Sequence, residues 1–378
     1  MSKSTDASKK SAPPKGKKNV PKPVVIKQCM GLDVSKDSVN ICFMELLSDQ
    51  NIKLRQQRAV PNTKKGWEII IASIKSRLKE TQLGFMAVME ATGVYHENMC
   101  YALYDAGIRV SVVLSNVANK YAGSLNSKSK NDKIDAQLLS RMGLERLLEE
   151  WAPMSKNALT IKNLTRERKM LMEEKTSVSN QYHAASTAHE LDSKSKKRYE
   201  KRLEFLSKQI LETETQLMNL AKSDSEFNEY VELLVSIKGI GKLTAVVVLS
   251  ELDCFKKFSN ESQVISFVGY DVVQNQSGNT TGKTRISKKG NSHVRAALYF
   301  PSITAARTNP MFQSFYARVY ETSKVKAKAF VAVQAKLLRL MYALCKNKTF
   351  FDSEYLEKKE KERQEKEKNR AGVALEYA

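Results

Sequence analysis

Asp132 and Asp135 stand three residues apart in SKSKNDKIDAQLLS, where a lysine-rich run gives way to a helical pattern. Residues at i and i+3 share a helix face, so both carboxylates point the same way. Asp also suits a helix N-terminus, so capping and charge balance with Lys130 and Lys133 are the plain alternatives. Two further acids change the reading. Asp33 closes the strand-like run KQCMGLDV, and Glu90 closes the apolar run GFMAVME. Clustered carboxylates repel one another, by about 4 kcal/mol for two unit charges about 4 Å apart at an effective dielectric of about 20. Hard divalent cations relieve that repulsion, because oxygen ligands suit Mg²⁺ (with Mn²⁺ as a substitute). A pair of ions can also stabilise both the attacking and the leaving oxygen of a phosphodiester. Metal-assisted phosphodiester chemistry is therefore expected of Asp33, Glu90, Asp132 and Asp135.

The elements around these acids suggest how they could meet. KQCMGLDVSKDSVNICFMEL reads as strand, tight turn, strand, and IKLRQQRAV as a third strand. KKGWEIIIASIKSRLKE has helical periodicity, and GFMAVMEATG suits a strand buried on both faces. HENMCYALYDAG is the next helix, IRVSVVLS the next strand, and the lysine-rich helix follows. The order β-β-β-α-β-α-β-α is that of the ribonuclease H fold, other α/β folds remaining open on pattern alone. In that fold the first and fourth strands are parallel neighbours. Asp33 and Glu90 then fall at strand carboxyl ends, where open α/β sheets bind ligands.

Composition narrows the partners. The 378 residues include 63 Lys and Arg against 41 Asp and Glu, a net charge of +22 that favours nucleic acid over an anionic membrane surface. No apolar run approaches the roughly 20 residues of a membrane span, and the N-terminus lacks the apolar segment of a secretory signal. The five cysteines are scattered without a C-x-x-C pair, so zinc and disulfide frameworks are not expected and a reducing cytoplasm fits. The four histidines are far apart, which disfavours a His-based metal site or a Ser-His-Asp triad.

Beyond residue 150 the character changes. Leu203, Leu206, Ile210, Thr213, Leu217 and Leu220 alternate spacings of three and four, a coiled-coil seam. A helix around Leu164 and Leu171 could oppose it within the chain, and pairing between chains is the alternative. SIKGIGKLTA then sets a Gly-x-Gly turn, Gly239 and Gly241, at the entrance of a helix. Such a turn exposes backbone N–H groups to a phosphate, with Lys238 and Lys242 beside it. The following GYDVVQNQSGNTTGKTRISKKGNSHVRAALY joins a polar loop to Lys283, Arg285, Lys288, Lys289 and Arg295. Both basic sets are candidate nucleic-acid contacts.

GLDVSKD, MEATGVYHE and SKNDKIDA together resemble the three acidic motifs of the insertion-sequence 110/1111 transposases, which are similar to Piv-type DNA invertases. SIKGIGKLTA and SFVGYDVVQNQSGNTTGKTRISKKGNSHVRAALY resemble that family's C-terminal domain, and the match runs in order over about residues 28–345. Where members often carry Gly-x-x-Pro before the serine loop, this chain has GYDVV. The resemblance implies an α/β RuvC-like ribonuclease H domain, a helical coiled-coil segment and a mainly α C-terminal transposase domain. The corresponding boundaries are a disordered basic arm over 1–27, the RuvC-like domain over 28–150, coiled-coil helices over 151–225 and the transposase domain over 226–350. A charged tail over 351–378 follows. The resemblance further implies a D-E-D-D metal set on Asp33, Glu90, Asp132 and Asp135, and a nucleophilic serine at Ser277. It also implies a tetramer guided by a structured non-coding bridge RNA that pairs with donor and target double-stranded DNA, in a bacterial, nucleoid-associated setting. Two alternatives stay beside it. One is a metal-dependent, structure-specific nuclease of the junction-resolvase kind, with Ser277 incidental, and the other is a non-catalytic nucleic-acid-binding protein.

Overall fold

In the computed structural model the residues described are 22–91, 93–125, 131–273, 276–277, 280–281, 284–352 and 354. The expected basic arm, apart from its last residues, and the expected charged tail, apart from its first, lie outside them. So does the lysine run 126–130. The chain divides into two units, 1–153 and 154–378.

The first unit is built on one sheet. Its strands are β1 (Val25–Val34), β2 (Ser38–Leu47), β3 (Ile52–Pro61), β4 (Phe85–Glu90) and β5 (Val110–Val113), in the order β3-β2-β1-β4-β5. β2 runs antiparallel to both β1 and β3, whereas β4 runs parallel to β1 and to β5. This is the ribonuclease H arrangement expected from the element order. Alternation along β1 divides its side chains between two cores. Met30, Leu32 and Val34 enter a cluster with Ile70, Ile74, Met99 and Leu103 from helices α1 (Lys64–Lys75) and α2 (Glu97–Asp105). Cys29 enters the opposite cluster, with Val88, Tyr121, Ala136, Leu139 and Met142. That second face is covered by α3 (Ser115–Ser124) and α4 (Asp132–Glu145). A sheet covered on both sides explains why β1, β2 and β4 read as nearly continuous apolar runs.

Helix α3 departs from the expected order, in which the lysine-rich helix follows β5 directly. Its sequence SNVANKYAGS is short and mostly small and polar, buries only Tyr121, and begins without a side-chain cap.

The second unit is helical. Helices α5 (Lys156–Thr187) and α6 (Ser193–Ser223) form a hairpin, antiparallel because Tyr182 stacks on Tyr199 while Arg168 pairs with Glu214. Leu206, Ile210, Thr213 and Leu217 are buried and Leu203 and Leu220 half-buried. The expected seam is therefore satisfied, at least in part, inside the chain. The helices α7 (Ser225–Val235), α8 (Lys242–Leu252), α9 (Glu261–Val268), α10 (Ser292–Ala297), α11 (Tyr299–Thr308), α12 (Pro310–Ser323) and α13 (Lys326–Asn347) follow. One apolar cluster joins the root of the hairpin (Ile161, Leu164, Leu217) to Leu249 of α8, Val264 of α9, Phe312 of α12 and Leu337 of α13. Between α9 and α10 lie four two-residue strands: β6 (Val272–Val273) pairs with β9 (Arg285–Ile286), and β7 (Gln276–Ser277) with β8 (Thr280–Thr281).

Candidate active site: an acid cleft under a close-packed helix

Asp33 and Glu90 each follow the register pair Leu32↔Met89 by one residue on parallel neighbouring strands. They therefore sit side by side, about one strand spacing of 4.8 Å apart. By alternation both emerge on the sheet face that α4 covers, the face of Cys29 and Val88.

The position of α4 is set by what two glycines lack. A Cβ on Gly31 would stand 2.0 Å from the carbonyl oxygen of Ala136 and 2.4 Å from the amide nitrogen of Ser140. A Cβ on Gly143 would stand 2.3 Å from Cys29 Sγ and 2.7 Å from Val88 Cγ2. Helix and strand thus meet nearly backbone to backbone, and Ser140 Oγ donates to the Cys29 carbonyl at 3.1 Å. Gly143 lies over Cys29, and Ala136 with Ser140 over Gly31, so α4 runs against the direction of β1. Its first turn, carrying Asp132 and Asp135, comes to the end of β1 that carries Asp33.

Both ends of α4 are fastened. Asn131 caps it, its side chain accepting from the Ile134 amide at 2.9 Å. The N-cap is therefore Asn131, and Asp132 and Asp135 stand in the first turn, where the helix dipole also favours acids. Gln57 of β3 donates to the Lys133 carbonyl at 2.8 Å and accepts from Gln137 at 2.9 Å. At the far end Lys27 Nζ donates to the carbonyls of Leu144 and Arg146, each at 3.3 Å, a cation placed where the helix dipole favours one.

The result is a cleft of about 380 Å³ lined by Asp33, Glu90, Asp132 and Asp135, with Lys36, Tyr95, Asn119 and Tyr121 among its other walls. All four expected acids meet there. Among the described residues, however, no three acidic, histidine or cysteine side chains are gathered into a group that would hold an ion. The donor set consists of carboxylate oxygens, which suits hard divalent cations in chemistry, though the side chains do not stand as a coordination shell. Asp33 and Asp135 make further polar interactions. The five cysteines are unpaired and buried. Burial pushes the thiols of Cys42, Cys100, Cys254 and Cys345 up to about 12, which makes them poor nucleophiles at neutral pH.

In the second unit Ser277 lies in β7, in register with Thr280 of β8. Lys283 is outside the described residues, and Arg285 belongs to β9. The base of this segment is closely held. Ser287 donates through Oγ to Asp271 Oδ1 at 2.7 Å and through its amide to the Asp271 carbonyl at 2.8 Å. A Cβ on Gly290 would stand 2.3 Å from the Phe267 carbonyl oxygen, so only glycine passes there. Asn291 caps α10 and donates at 2.8 Å to Glu251, whose side chain is 0% exposed and also takes a two-pronged pair from Arg166 at 2.8 and 3.0 Å. Burial pushes the Glu251 carboxyl up, but the Arg166 guanidinium and the Asn291 amide outweigh it and hold it below its ordinary value. Arg295 Nη1 is committed to the Val268 carbonyl at 2.6 Å, whereas Lys288 and Lys289 are exposed.

Lys238 and Lys242 flank the turn between α7 and α8, where Gly239 has φ of 104° and Gly241 caps α8. Lys242 also pairs with Glu232 at 3.5 Å. Glu251 sits nine residues along α8 from Lys242, roughly 14 Å at the helical rise. The turn lysines and the residues that brace the serine segment therefore belong to opposite ends of α8.

Several of these residues carry signals that motif reading passes over. Gly31 is one, since a glycine inside a strand marks close backbone approach. Asn131, a favoured cap just ahead of the helix, is another. The contribution of α3 to the cleft and the Glu251–Arg166–Asn291 cluster have no local signal.

A family profile for DEDD-type IS110 "Transposase" matches residues 30–188, and one described as "Transposase IS116/IS110/IS902 family" matches residues 231–317. The "Pilin gene-inverting protein" of Moraxella bovis is 26% identical over 332 residues, covering 86% of this chain and 98% of that protein. An uncharacterized insertion element IS110 protein of Streptomyces coelicolor is 21% identical over 121 residues, 32% of this chain and 30% of its own length. A solved structure of Thermus thermophilus RuvC aligns over 33% of this chain and 99% of its own at 13% identity, with a TM-score of 0.24. A second, of RuvC with a Holliday junction substrate, aligns over the same shares at 9% identity and a TM-score of 0.26. The fold assignment rests on strand order and direction rather than on these two alignments.

Proposed function

This chain belongs to the IS110 family of transposases, and from that premise we propose how it recombines DNA: the four acids of the cleft support strand cleavage and Ser277 is the nucleophile. The observation that carries the reading is the convergence of Asp33, Glu90, Asp132 and Asp135 on one cleft, from two strand ends and one helix start. These carboxylates would hold divalent ions, Mg²⁺ in the first instance, which when bound neutralise charge on the phosphodiester and favour the ionised nucleophile. The chain's own residues supply the rest. The α4 seat fixes the acids, Lys36 adds a positive charge at the cleft wall, and exposed Lys238, Lys288 and Lys289 attract the backbone electrostatically.

In the serine step, Ser277 Oγ loses its proton and attacks phosphorus. One P–O bond of the strand breaks, and the departing DNA oxygen leaves as a hydroxyl carrying a proton. The phosphoserine ester conserves the phosphodiester energy until a second strand's hydroxyl attacks and returns Ser277 to its alcohol. Guidance by a structured RNA and assembly as a tetramer complete the proposal. A location in the bacterial cytoplasm, at the nucleoid, fits it. No described helix is long and apolar enough to cross a membrane.

The experiment is strand exchange by the full chain on donor and target DNA, with and without the RNA that co-purifies after a high-salt wash. Asp33→Asn and Glu90→Gln are expected to fold normally and to lose cleavage, as chelation does reversibly. Ser277→Ala is expected to bind nucleic acid yet give no covalent adduct on a denaturing gel. Full cleavage by Asp33→Asn would remove the acid assignment. Free ends in place of an adduct would leave the metal-dependent nuclease reading, which needs the acid cleft alone. Recombination with RNA absent would remove RNA guidance.

A further inference from the structure

The first turn of α11 exposes two neighbouring aromatic rings. Phe300 is 74% exposed and Tyr299 50% exposed, their rings edge to face with centroids 5.1 Å apart. The core does not need them. Leu298, Pro301, Ser302, Ala305 and Ala306 anchor this part of the chain and are buried. One exposed aromatic is unremarkable in a soluble protein. Two in succession, among uncompensated cations, call for an explanation.

Their neighbours come from the turn between α7 and α8. A Cβ on Gly239 would stand 3.2 Å from Thr304 Cγ2 and 3.5 Å from the Ala305 amide, so α11 abuts that turn. Thr304 lies one helical turn beyond Phe300, and its hydroxyl donates to the Phe300 carbonyl at 3.3 Å. Phe300, Thr304 and Arg307 recur at spacings of four and three and so share one face. Arg307 and Lys238 are both exposed, and among the described residues neither is ion-paired. The surface thus presents an open aromatic ring with two cations further along, Lys238 on the turn that abuts Thr304 and Arg307 on the same helix face.

We propose that this face binds an unpaired segment of nucleic acid, with Phe300 stacked on a base, Tyr299 bracing it edge-on, and Lys238 and Arg307 holding the flanking phosphates. Every base has a π-face and every linkage a negative charge, so a strand satisfies both kinds of group at once. An apolar protein partner would leave both cations without a counter-charge. A fully paired duplex would hide the base faces that the rings would meet. The net charge of +22 points to the same class of partner. The inference rests on the reading that the chain acts on nucleic acid. It adds to that reading a contact specific for strands that are not paired.

The test compares two labelled probes on the full chain freed of nucleic acid: a continuous duplex, and the same duplex with a central unpaired stretch. Phe300→Ala is expected to weaken binding to the interrupted probe about tenfold, with the continuous duplex unchanged and the same salt dependence. Arg307→Ala and Lys238→Ala should each lower the salt slope by about one on the interrupted probe. Phe300→Trp should keep the affinity, and its fluorescence should be quenched by the interrupted probe. Equal losses on both probes, no loss on either, or an unquenched tryptophan would overturn the stacking assignment. A fall in the solution mass of Phe300→Ala would overturn it in favour of a protein interface. Failure of the wild type to bind either probe would instead remove the nucleic-acid reading itself, and the stacking contact with it.

Discussion

The acid cleft is held by contacts between residues far apart in the chain, Cys29 with Ser140 and Gln57 with Gln137. The serine-bearing segment is held mostly at its own base, where Asp271 meets Ser287 and Phe267 meets Asn291. The cleft takes its shape from a sheet and a helix that come nearly to backbone contact at Gly31 and Gly143. The serine segment takes its position from hydrogen bonds and one buried charge. The first kind of site should break all at once under steric insult, and the second should weaken by steps as bonds are removed.

Gly31→Ala is the sharpest probe of that contrast. A methyl group 2.0 Å from a carbonyl oxygen forces α4 off the sheet. The first unit should lose about 3 kcal/mol of stability, at the upper end of overpacking effects, and cleavage should vanish with the acids chemically intact. A thermal melt beside a cleavage assay checks both, and a variant that melts and cuts like wild type would show that the close approach is not needed.

Glu251→Gln is expected to come next. It replaces the two-pronged charged pair with Arg166, whose guanidinium stays partly in solvent, by a neutral amide and should cost about 2 kcal/mol, the worth of charge-assisted hydrogen bonds. The folded carboxyl is held below its ordinary value of 4.5. Its contribution is therefore complete above that pH and disappears as pH falls through the lower folded value. Wild type should lose stability over that acid window, and Glu251→Gln should lose less across it. Parallel denaturation curves at neutral and acid pH would refute the assignment.

Ser287→Ala removes one buried-edge hydroxyl bond to Asp271, worth about 1 kcal/mol. Strand exchange should fall severalfold without being abolished. Ser287 looks from sequence like a neutral control for Ser277, but its bond to Asp271 makes it part of the segment's support. Thr284, exposed in the same segment, serves better as a control. The smallest effect is expected from Lys242→Ala. Its pair with Glu232 is exposed on both sides, so stability should change by less than about 1 kcal/mol. The salt slope of nucleic-acid binding should fall by about one if the lysine meets a phosphate.

The same contrast governs what could be read in advance. Strand order was legible because apolar runs and their ends are local patterns, which β1 and β4 carry, and the acids Asp132 and Asp135 mark the start of α4. Helix α3 was not, since its ten mostly small and polar residues bury only Tyr121 and it begins without a side-chain cap. The coiled-coil spacing of α6 was visible, but spacing does not say which chain fills the seam. In the structure α5 of the same chain packs there, so Leu206→Lys with Ile210→Lys would open the hairpin before reporting on oligomers. The buried Glu251 was invisible for a similar reason. A glutamate in the run TAVVVLSEL looks like a solvent-facing residue until Arg166 and Asn291 arrive from distant parts of the chain.

The bare backbone at Gly31 also bears on inheritance. Any glycine codon becomes a codon for a bulkier residue by a single nucleotide change, and at this position the bulkier residue collides with α4. A copy of the gene could thus keep all four acids and Ser277 and still encode an inert protein. Among copies of such a gene, the active would be told from the inert partly by a residue that has no side chain at all.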